Sequence, residues 1–390
     1  MLQGKKIDSI TESDLQFLID NRISETKTIE YKRILPTNDN DGKKEFLADV
    51  SSFANASGGC IIYGIAETAG SPTAICSLTG DPDAEKLRLE NLLRTSIAPR
   101  IPGLSIVTIP IAEAGFVMIM DIPRSWASPH VVSFQNHWRF YSRNSAGKYP
   151  LDVAELKAAF LFSESITSRI QTFRMERLGH IISGDTPVPL IADNGRLVLH
   201  LIPVDAFNGN VFDIHSIESG NLSPITSYGW NNRYNFDGRI SYSPVAGTSE
   251  CISYLQVYRN GIIEAVDCRL LINNAERGRY IPGQFYERRL IEALPRLFAI
   301  QNGLGVNTPV ILMLSLLGVR GFKMAVNAFY YEDGELIDRD NLIIPEVVVE
   351  DMREDPGKIM RTTFDFIWNA AGWRGSLNYD ANGNWVGMRE

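Results

Sequence analysis

The spacing of hydrophobic positions in the first half of the chain alternates between helical and extended patterns. Phe46, Leu47, Val50, Phe53 and Ala54 fall on one face of a 3.6-residue period, which predicts an amphipathic helix. Residues 60–65, which follow a glycine pair, are almost all apolar and predict a buried strand. Further helices are predicted at residues 11–21, 83–97 and 152–182, and further strands at 29–32, 104–111, 116–122 and 138–143. This order of elements predicts a compact α+β unit.

The pattern breaks at residues 183–189, which are rich in Gly, Pro and polar residues and predict a domain boundary. Beyond it, strands are predicted at 197–204 and 309–319. A hairpin is predicted at 254–266 because Asn260-Gly261 separates two apolar runs. Helices are predicted at 285–301, kinked or broken at Pro295, and at 357–371. The predicted domains are therefore residues 1–182 and a second mixed α+β domain, residues 190–390, of unknown role.

Composition and charge narrow the class of protein. The chain has 390 residues, of which 44% are apolar and 22% charged, as in soluble globular proteins with two domains. Its net charge is -8, and acidic residues outnumber basic ones in both halves, so any contact with phosphate needs a local basic patch or bridging metal ions. The four cysteines are scattered, the N-terminus does not resemble a signal peptide, and no apolar run could span a membrane. These features predict a cytoplasmic protein without a zinc site.

A group of charged residues near the N-terminus can be interpreted in two ways. Glu25, Glu30 and Glu67 would repel one another if they met in the fold, unless they held a cation such as Mg²⁺ or Mn²⁺. Such an ion activates water for phosphate hydrolysis, and Lys32 would offset charge on the scissile phosphate. The alternative is that all four are solvated surface residues, because acid-rich spacings are common by chance.

Three motifs resemble those of the Schlafen-type AlbA domain family over about residues 20–160. They are Glu30-Tyr31-Lys32, the run of residues 53–65 with the sequence FANASGGCIIYGI, and Tyr141-Ser142-Arg143-Asn144-Ser145. The resemblance implies an AlbA-type fold that binds DNA or RNA. In the Schlafen nucleases of this family, three carboxylates and a lysine form a metal-dependent site that cuts RNA. The resemblance assigns these roles to Glu25, Glu30, Glu67 and Lys32, although the family has aspartate where Glu67 stands here. Other relatives are associated only with DNA or ATP binding, so the resemblance leaves cleavage open.

Several further residues are candidates for nucleic-acid binding. Arg143, Asn144, Ser145 and Lys148 would form a phosphate clamp, with a solvated loop as the alternative. Lys43 and Lys44 start the amphipathic helix, where the helix amino end also favours phosphate. Gly58 and Gly59 are first of all a helix cap and a turn, with a phosphate-binding amide nest as a second role. Asn55 either faces the site or bonds to the turn.

Three hypotheses follow for function. The first is a metal-dependent endoribonuclease acting in stress or phage defence, and the second is a non-catalytic DNA- or RNA-binding regulator. The third is a protein–protein assembly or sensor module, which the acidic charge favours. The resemblance to the AlbA-type family also predicts a homo-oligomer. P-loop ATP hydrolysis is not expected, because Gly147-Lys148 lacks the preceding glycine and the following hydroxyl of that motif.

Overall fold

The structure is a computed structural model that describes residues 7–111, 115–145, 147–192, 194–207, 209, 211–274, 278–326 and 334–387. The chain divides into two compact units, residues 1–167 and 168–390. The division lies inside a long helix rather than at the predicted linker 183–189. Its cause is that Leu178 and Ile181, near the end of this helix, are buried in a hydrophobic cluster of the C-terminal unit.

The N-terminal unit combines four helices with ten strands in its described residues. The helices are α1 (Glu12–Asp20), α2 (Asn40–Asn55), α3 (Pro82–Ser96) and α4 (Val153–Ser183), of which α4 continues into the second unit. The strands are β1 (Ile29–Lys32), β2 (Gly59–Tyr63), β3 (Ile65–Thr68), β4 (Ser71–Ile75), β5 (Ile97–Ala98), β6 (Ser105–Pro110), β7 (Phe116–Ile122), β8 (Val131–Phe134), β9 (His137–Asn144) and β10 (Gly147–Pro150). The predicted α+β class is therefore confirmed.

The first sheet has the order β1-β2-β7-β6, with β1 parallel to β2 and the other pairs antiparallel. Both of its faces are buried. Ile61 and Tyr63 point into the cluster formed with α2, whereas Ile62 on the same strand points into the cluster formed with α1. This explains the nearly continuous apolar sequence of β2. Tyr31 belongs to the α1 cluster, so its neighbours on β1 face α2.

The second sheet has the order β10-β9-β8-β5 and is antiparallel throughout. Strands β8 and β9 lie against α2, because Phe134 of β8 and Tyr141 of β9 pack on the cluster that contains Phe46 and Phe53. The sequence predicted β9 but neither β8 nor β10. It also missed the β3–β4 hairpin, which Gly64, with a φ of +97°, separates from β2.

The C-terminal unit is built on a larger sheet of order β12-β13-β14-β15-β11-β18-β20, with β21 also paired to β18. Its strands are β11 (Arg196–Pro203), β12 (Asn231–Tyr234), β13 (Gly238–Pro244), β14 (Cys251–Tyr258), β15 (Ile263–Asp267), β16 (Ile272–Asn274), β17 (Gly278–Pro282), β18 (Val310–Leu317), β19 (Lys323–Ala325), β20 (Asn341–Ile343) and β21 (Val347–Val349). Strands β16, β17 and β19 form a separate small sheet, and the helices are α5 (Gly283–Leu304) and α6 (Pro356–Ala370). The predicted hairpin is confirmed as β14–β15, with Gly261 at a φ of +82° in its turn.

Helix α5 runs continuously through Pro295, so of the predicted kink or break the break is absent. The proline lies on the exposed side of the helix, whereas Leu294 and Leu297 on either side of it are buried in the core with Trp368 of α6. Packing on both sides of Pro295 offsets the lost hydrogen bond. Among the described helices of the chain, none combines the length and hydrophobicity that a membrane crossing requires.

Candidate nucleic-acid interface

Six charged side chains from β1, α2, β9 and β10 lie close together and are called here the charge cluster. Its members are Glu30, Lys32, Glu45, Asp49, Arg143 and Lys148. Glu30 forms salt bridges with two basic side chains, with 2.8 Å from Oε1 to Lys32 Nζ and 2.8 Å from Oε2 to Arg143 Nη1. Asp49 Oδ1 lies 2.6 Å from Lys148 Nζ, and its Oδ2 lies 3.6 Å from Lys32 Nζ. Exposed Glu45 lies 3.5 Å from Lys32 Nζ and 3.8 Å from Lys148 Nζ.

The secondary structure explains why these residues meet. Glu30 and Lys32 are two apart on β1 and therefore share the face that α2 covers. Asp49 lies one helical turn after Glu45 on α2. Arg143 and Lys148 are directly paired across β9 and β10. Four elements that are distant in the chain thus bring three acids and three bases to one side of α2.

The cluster has two buried members, Asp49 and Arg143, and three more exposed members, Lys32, Glu45 and Lys148, which are called here its rim. The side chains of Asp49 and Arg143 are only 4% and 7% exposed, whereas Lys32 and Lys148 are each 30% exposed. Arg143 also lies over the ring of Phe53, with 3.6 Å from its guanidinium carbon to the ring centroid. Glu30 and Asp49 therefore hold the ammonium groups of Lys32 and Lys148 near the surface. Arg143 instead forms its contacts, to Glu30 and Phe53, inside the protein.

The charges in the cluster shift one another's pKa values. Burial acts to raise the pKa of Glu30, but hydrogen bonds and charges from Lys32 and Arg143 outweigh it and hold that pKa below its usual value. The pKa of Asp49 is raised by its burial and by the neighbouring charge of Glu30, against the opposing effect of Lys148 and Lys32. Burial also acts to lower the pKa of Lys32, yet Asp49 and Glu30 raise it overall. At neutral pH Lys32 therefore remains cationic next to Glu30 in its ionised form.

The other two acids predicted for the metal site lie at a different place. Glu25 Oε1 accepts a hydrogen bond of 2.9 Å from the backbone N–H of Tyr31, at the free edge of β1. Glu67 Oε2 accepts one of 2.6 Å from the N–H of Gly70 in the β3–β4 turn. A Cβ placed on Gly70 would lie 3.6 Å from Glu25 Oε2, so these two carboxylates approach the same turn. Glu30 points instead toward α2, and the described residues contain no group of three Asp, Glu, His or Cys side chains that could hold a metal ion.

The glycine pair after α2 is packed against the protein's own backbone. Gly58 has a φ of +69°, and a Cβ there would lie 2.4 Å from the backbone N of Arg124. A Cβ on Gly59 would lie 2.3 Å from the carbonyl oxygen of Thr28. These contacts explain the glycines as a close-packed turn and leave no space for a phosphate on those sides.

Asn55 bonds to two backbone segments rather than to the charge cluster. Its Nδ2 donates to the carbonyl oxygens of His130 (3.0 Å) and Tyr141 (2.8 Å), and its Oδ1 accepts from the N–H of His130 at 2.7 Å. The sequence left open that Asn55 faces the site or bonds to the glycine turn, and the structure shows a third role, in which it joins the backbone of His130 to that of Tyr141 in β9. Asn144 and Ser145 lie in the exposed β9–β10 turn. Lys43 lies half-buried in the first turn of α2, after its N-cap residue Asp39.

Lys44 borders a depression of about 220 Å³ between the start of α2 and the β8–β9 hairpin. Its lining residues are Lys44, Val132, Phe134, His137, Arg139 and Tyr141. Lys44 and Arg139 form no ion pair with any residue that the structure describes. The depression, called here the hairpin pocket, therefore combines two cations with aromatic rings.

Sequence reasoning missed Asp49, Glu45, His137 and Arg139. Asp49 carried a detectable signal, because it stands three residues after Phe46 and four before Phe53 on the apolar face of a predicted helix. An acid at such a position needs a charged or hydrogen-bonding partner. The other three carried no local signal, since they lie at exposed positions like many surface residues.

Comparison with known proteins agrees with the motif resemblance. Residues 25–152 match the family model described as Schlafen, AlbA_2, so the N-terminal part of the chain carries the domain that the motifs predicted. The match includes every member of the charge cluster and supports a nucleic-acid-related function. No curated protein matches the chain. Among solved structures, the DIP2311 protein from Corynebacterium diphtheriae is 18% identical over 37% of this chain and 27% of that chain, with a TM-score of 0.25. The chain thus aligns with about a quarter of that protein, and the TM-score is too low to bear on fold or function.

Proposed function

We propose that the N-terminal unit is a nucleic-acid-binding domain that contacts phosphate through the rim of the charge cluster. The observation that carries the proposal is the convergence of Lys32 and Lys148 on one side of α2, within the segment that matches the Schlafen AlbA_2 family. Lysines held at the surface by buried acids are positioned before a ligand arrives, which lowers the entropic cost of binding.

The geometry also explains how an acidic chain can bind a polyanion. Lys148 Nζ donates to Asp49 at 2.6 Å and to the carbonyl oxygen of Glu45 at 3.4 Å, and the lysine side chain is 30% exposed. Lys44 adds a cation without an acidic partner among the described residues. Glu45 at the rim, 62% exposed, repels phosphate and limits the affinity. We therefore expect modest, salt-sensitive binding rather than the tight binding of a strongly basic domain.

The test is a titration of labelled RNA and DNA oligonucleotides with the full chain at several salt concentrations, in EDTA, followed by fluorescence anisotropy. Lys148→Ala should weaken binding several-fold and reduce the slope of log K against log salt by about one, the effect of one lost phosphate contact. Lys157→Ala, which removes an exposed lysine on α4, is the matched control and should bind as the native chain does. Absence of binding by the native chain at low salt would overturn the proposal.

A metal-dependent endoribonuclease is the second candidate, and the approach of Glu25 and Glu67 to Gly70 is the observation that favours it. Carboxylate oxygens suit Mg²⁺ or Mn²⁺. Glu30, the third predicted ligand, is held by Lys32 and Arg143 on the α2 side and does not complete the group. The arrangement of the described residues therefore supports binding better than cleavage.

Cleavage is tested with a mixed pool of tRNA and single-stranded DNA, in Mn²⁺ and then in EDTA. Metal-dependent cutting that is lost in both Glu25→Gln and Glu67→Gln, but kept in the exposed control Glu90→Gln, would establish the nuclease. Glu30→Gln alone cannot decide it, because that substitution also removes the partner of buried Arg143. If the native chain cuts neither substrate in Mn²⁺, the nuclease hypothesis is wrong and nucleic-acid binding remains as the proposed function.

A further inference from the structure

We infer that the hairpin pocket takes one unpaired base of a single-stranded nucleic acid, with the adjoining phosphates on Arg139 and Lys44. The inference rests on the proposed function and specifies the form of nucleic acid that the domain recognises. It is carried by residues outside the charge cluster, on the hairpin that β8 and β9 form.

The register of the hairpin creates the pocket. Phe134 pairs with His137, and Val132 pairs with Arg139, so these four side chains share one face. Tyr141, two residues after Arg139, continues the same face. The turn residues Gln135 and Asn136 both have positive φ, of 51° and 63°, as tight two-residue hairpin turns require. The aromatic rings are therefore presented by a short hairpin of defined register.

The composition of the pocket matches a nucleotide. The exposed ring of His137 and the partly buried rings of Phe134 and Tyr141 line the pocket and supply aromatic surface for a base, and Arg139 and Lys44 offer charge for its phosphates. No lining residue is acidic, in contrast to the rim of the charge cluster, where Glu45 stands next to the lysines. Arg139 and Lys44 also have no ion pair to give up within the described part of the chain.

The size of the pocket and the way bases are exposed define the ligand further. About 220 Å³ is below the usual volume of pockets for drug-sized molecules, roughly 300–1,000 Å³, so the pocket holds one small ring system. In a duplex the faces of the bases are stacked and only their edges reach the grooves. An aromatic surface can therefore contact only a base that is unpaired. RNA and DNA share this chemistry, and both belong in the test.

The test compares an oligouridylate, an oligothymidylate of the same length and a duplex, each titrated with the full chain. The double substitution His137→Ala with Arg139→Ala changes two exposed hairpin positions and should weaken single-strand binding about tenfold, the effect of one lost stacked base. Trp138→Ala is the matched control, because Trp138 pairs with Ser133 on the opposite face of the hairpin and is 69% exposed. It should bind as the native chain does.

A photo-crosslink of 4-thiouridine RNA to residues 132–141 provides a measurement that does not depend on folding of a variant. Stronger binding of either single strand than of duplex, lost in the double variant, supports the inference. Equal binding of duplex, or loss in Trp138→Ala instead, overturns it. If the native chain binds no oligonucleotide, the proposed function is wrong. If binding depends on Lys148 but not on the hairpin residues, only this inference is wrong.

Discussion

Arg143 and Glu30 form a largely buried salt bridge, with 2.8 Å between Nη1 and Oε2, across 113 residues of sequence. Arg143 also stacks on Phe53 of α2. The two residues were expected to act separately, one as a phosphate clamp and the other as a catalytic acid. Their pairing makes each the partner that keeps the other's charge compensated inside the domain.

Replacing Glu30 with Gln should destabilise the N-terminal unit by about 3 kcal/mol, because it leaves the guanidinium of Arg143 buried with a neutral partner. Urea unfolding monitored by circular dichroism measures the change. Glu90→Gln, on an exposed position of α3, is the control. A double-mutant cycle with Arg143→Met should give a coupling energy above about 1 kcal/mol. Additive effects of the two substitutions would show that the salt bridge contributes nothing.

Replacing Asn55 with Ala should cost about 3 kcal/mol in the free energy of unfolding. The substitution leaves the N–H of His130 and two backbone carbonyl groups without their hydrogen bonds in a part-buried site. Asn91→Ala, which removes an exposed hydrogen bond to Arg94, is the comparison and should cost less than about 1 kcal/mol. Equal costs for the two substitutions would mean that the bonds of Asn55 are replaced by water.

Replacing Gly58 with Ala should destabilise the unit more than replacing Gly80 does. Both glycines have positive φ, of 69° and 110°, so both substitutions strain the backbone by about 1–3 kcal/mol. Only at Gly58 would the new Cβ also collide with backbone, at 2.4 Å from the N of Arg124, whereas no atom lies within 4 Å of the site at Gly80. Thermal unfolding of the two variants separates strain from collision. A smaller loss for Gly58→Ala would contradict the close approach.

Acid should weaken the N-terminal unit through His130. Burial lowers the pKa of this residue from 6.5 to about 4, against the raising effect of its hydrogen bond to the carbonyl of Pro99. The unfolded chain therefore binds a proton that the folded chain refuses between about pH 6.5 and 4. The contribution of His130 to stability should fall by about 3 kcal/mol as the pH is lowered through that range and stay constant above it.

The measurement is urea unfolding at several pH values for the native chain and for His130→Leu. The native chain should lose stability between about pH 6.5 and 4 more steeply than the variant does. Trp138→Ala is the control, because it changes an exposed position without removing a titratable group and should leave the slope unchanged. Parallel curves for the native chain and His130→Leu would contradict the role of buried His130.

Local sequence predicted the helices and most of the longer strands, because the period of their apolar positions follows from which face is buried. The spacing of Phe46, Val50 and Phe53 identified α2, and the apolar run at residues 60–63 identified a strand buried on both faces. The same stretch carried the motif that the family match bears out. Asp49 could have been recognised in the same way, as an acid on an apolar helix face.

The partners of the charged residues were decided only by the tertiary structure. The order β10-β9-β8-β5 and the register of β9 with β10 bring Arg143 and Lys148 to α2, and neither order nor register follows from the period of the side chains. For the same reason Glu25 and Glu30, five residues apart, lie at the edge and on the face of β1, respectively. The sequence by itself determined where the elements with a regular apolar pattern lie and which family the N-terminal segment resembles. Long-range packing decided which charges are compensated inside the protein and which cations remain open to a ligand.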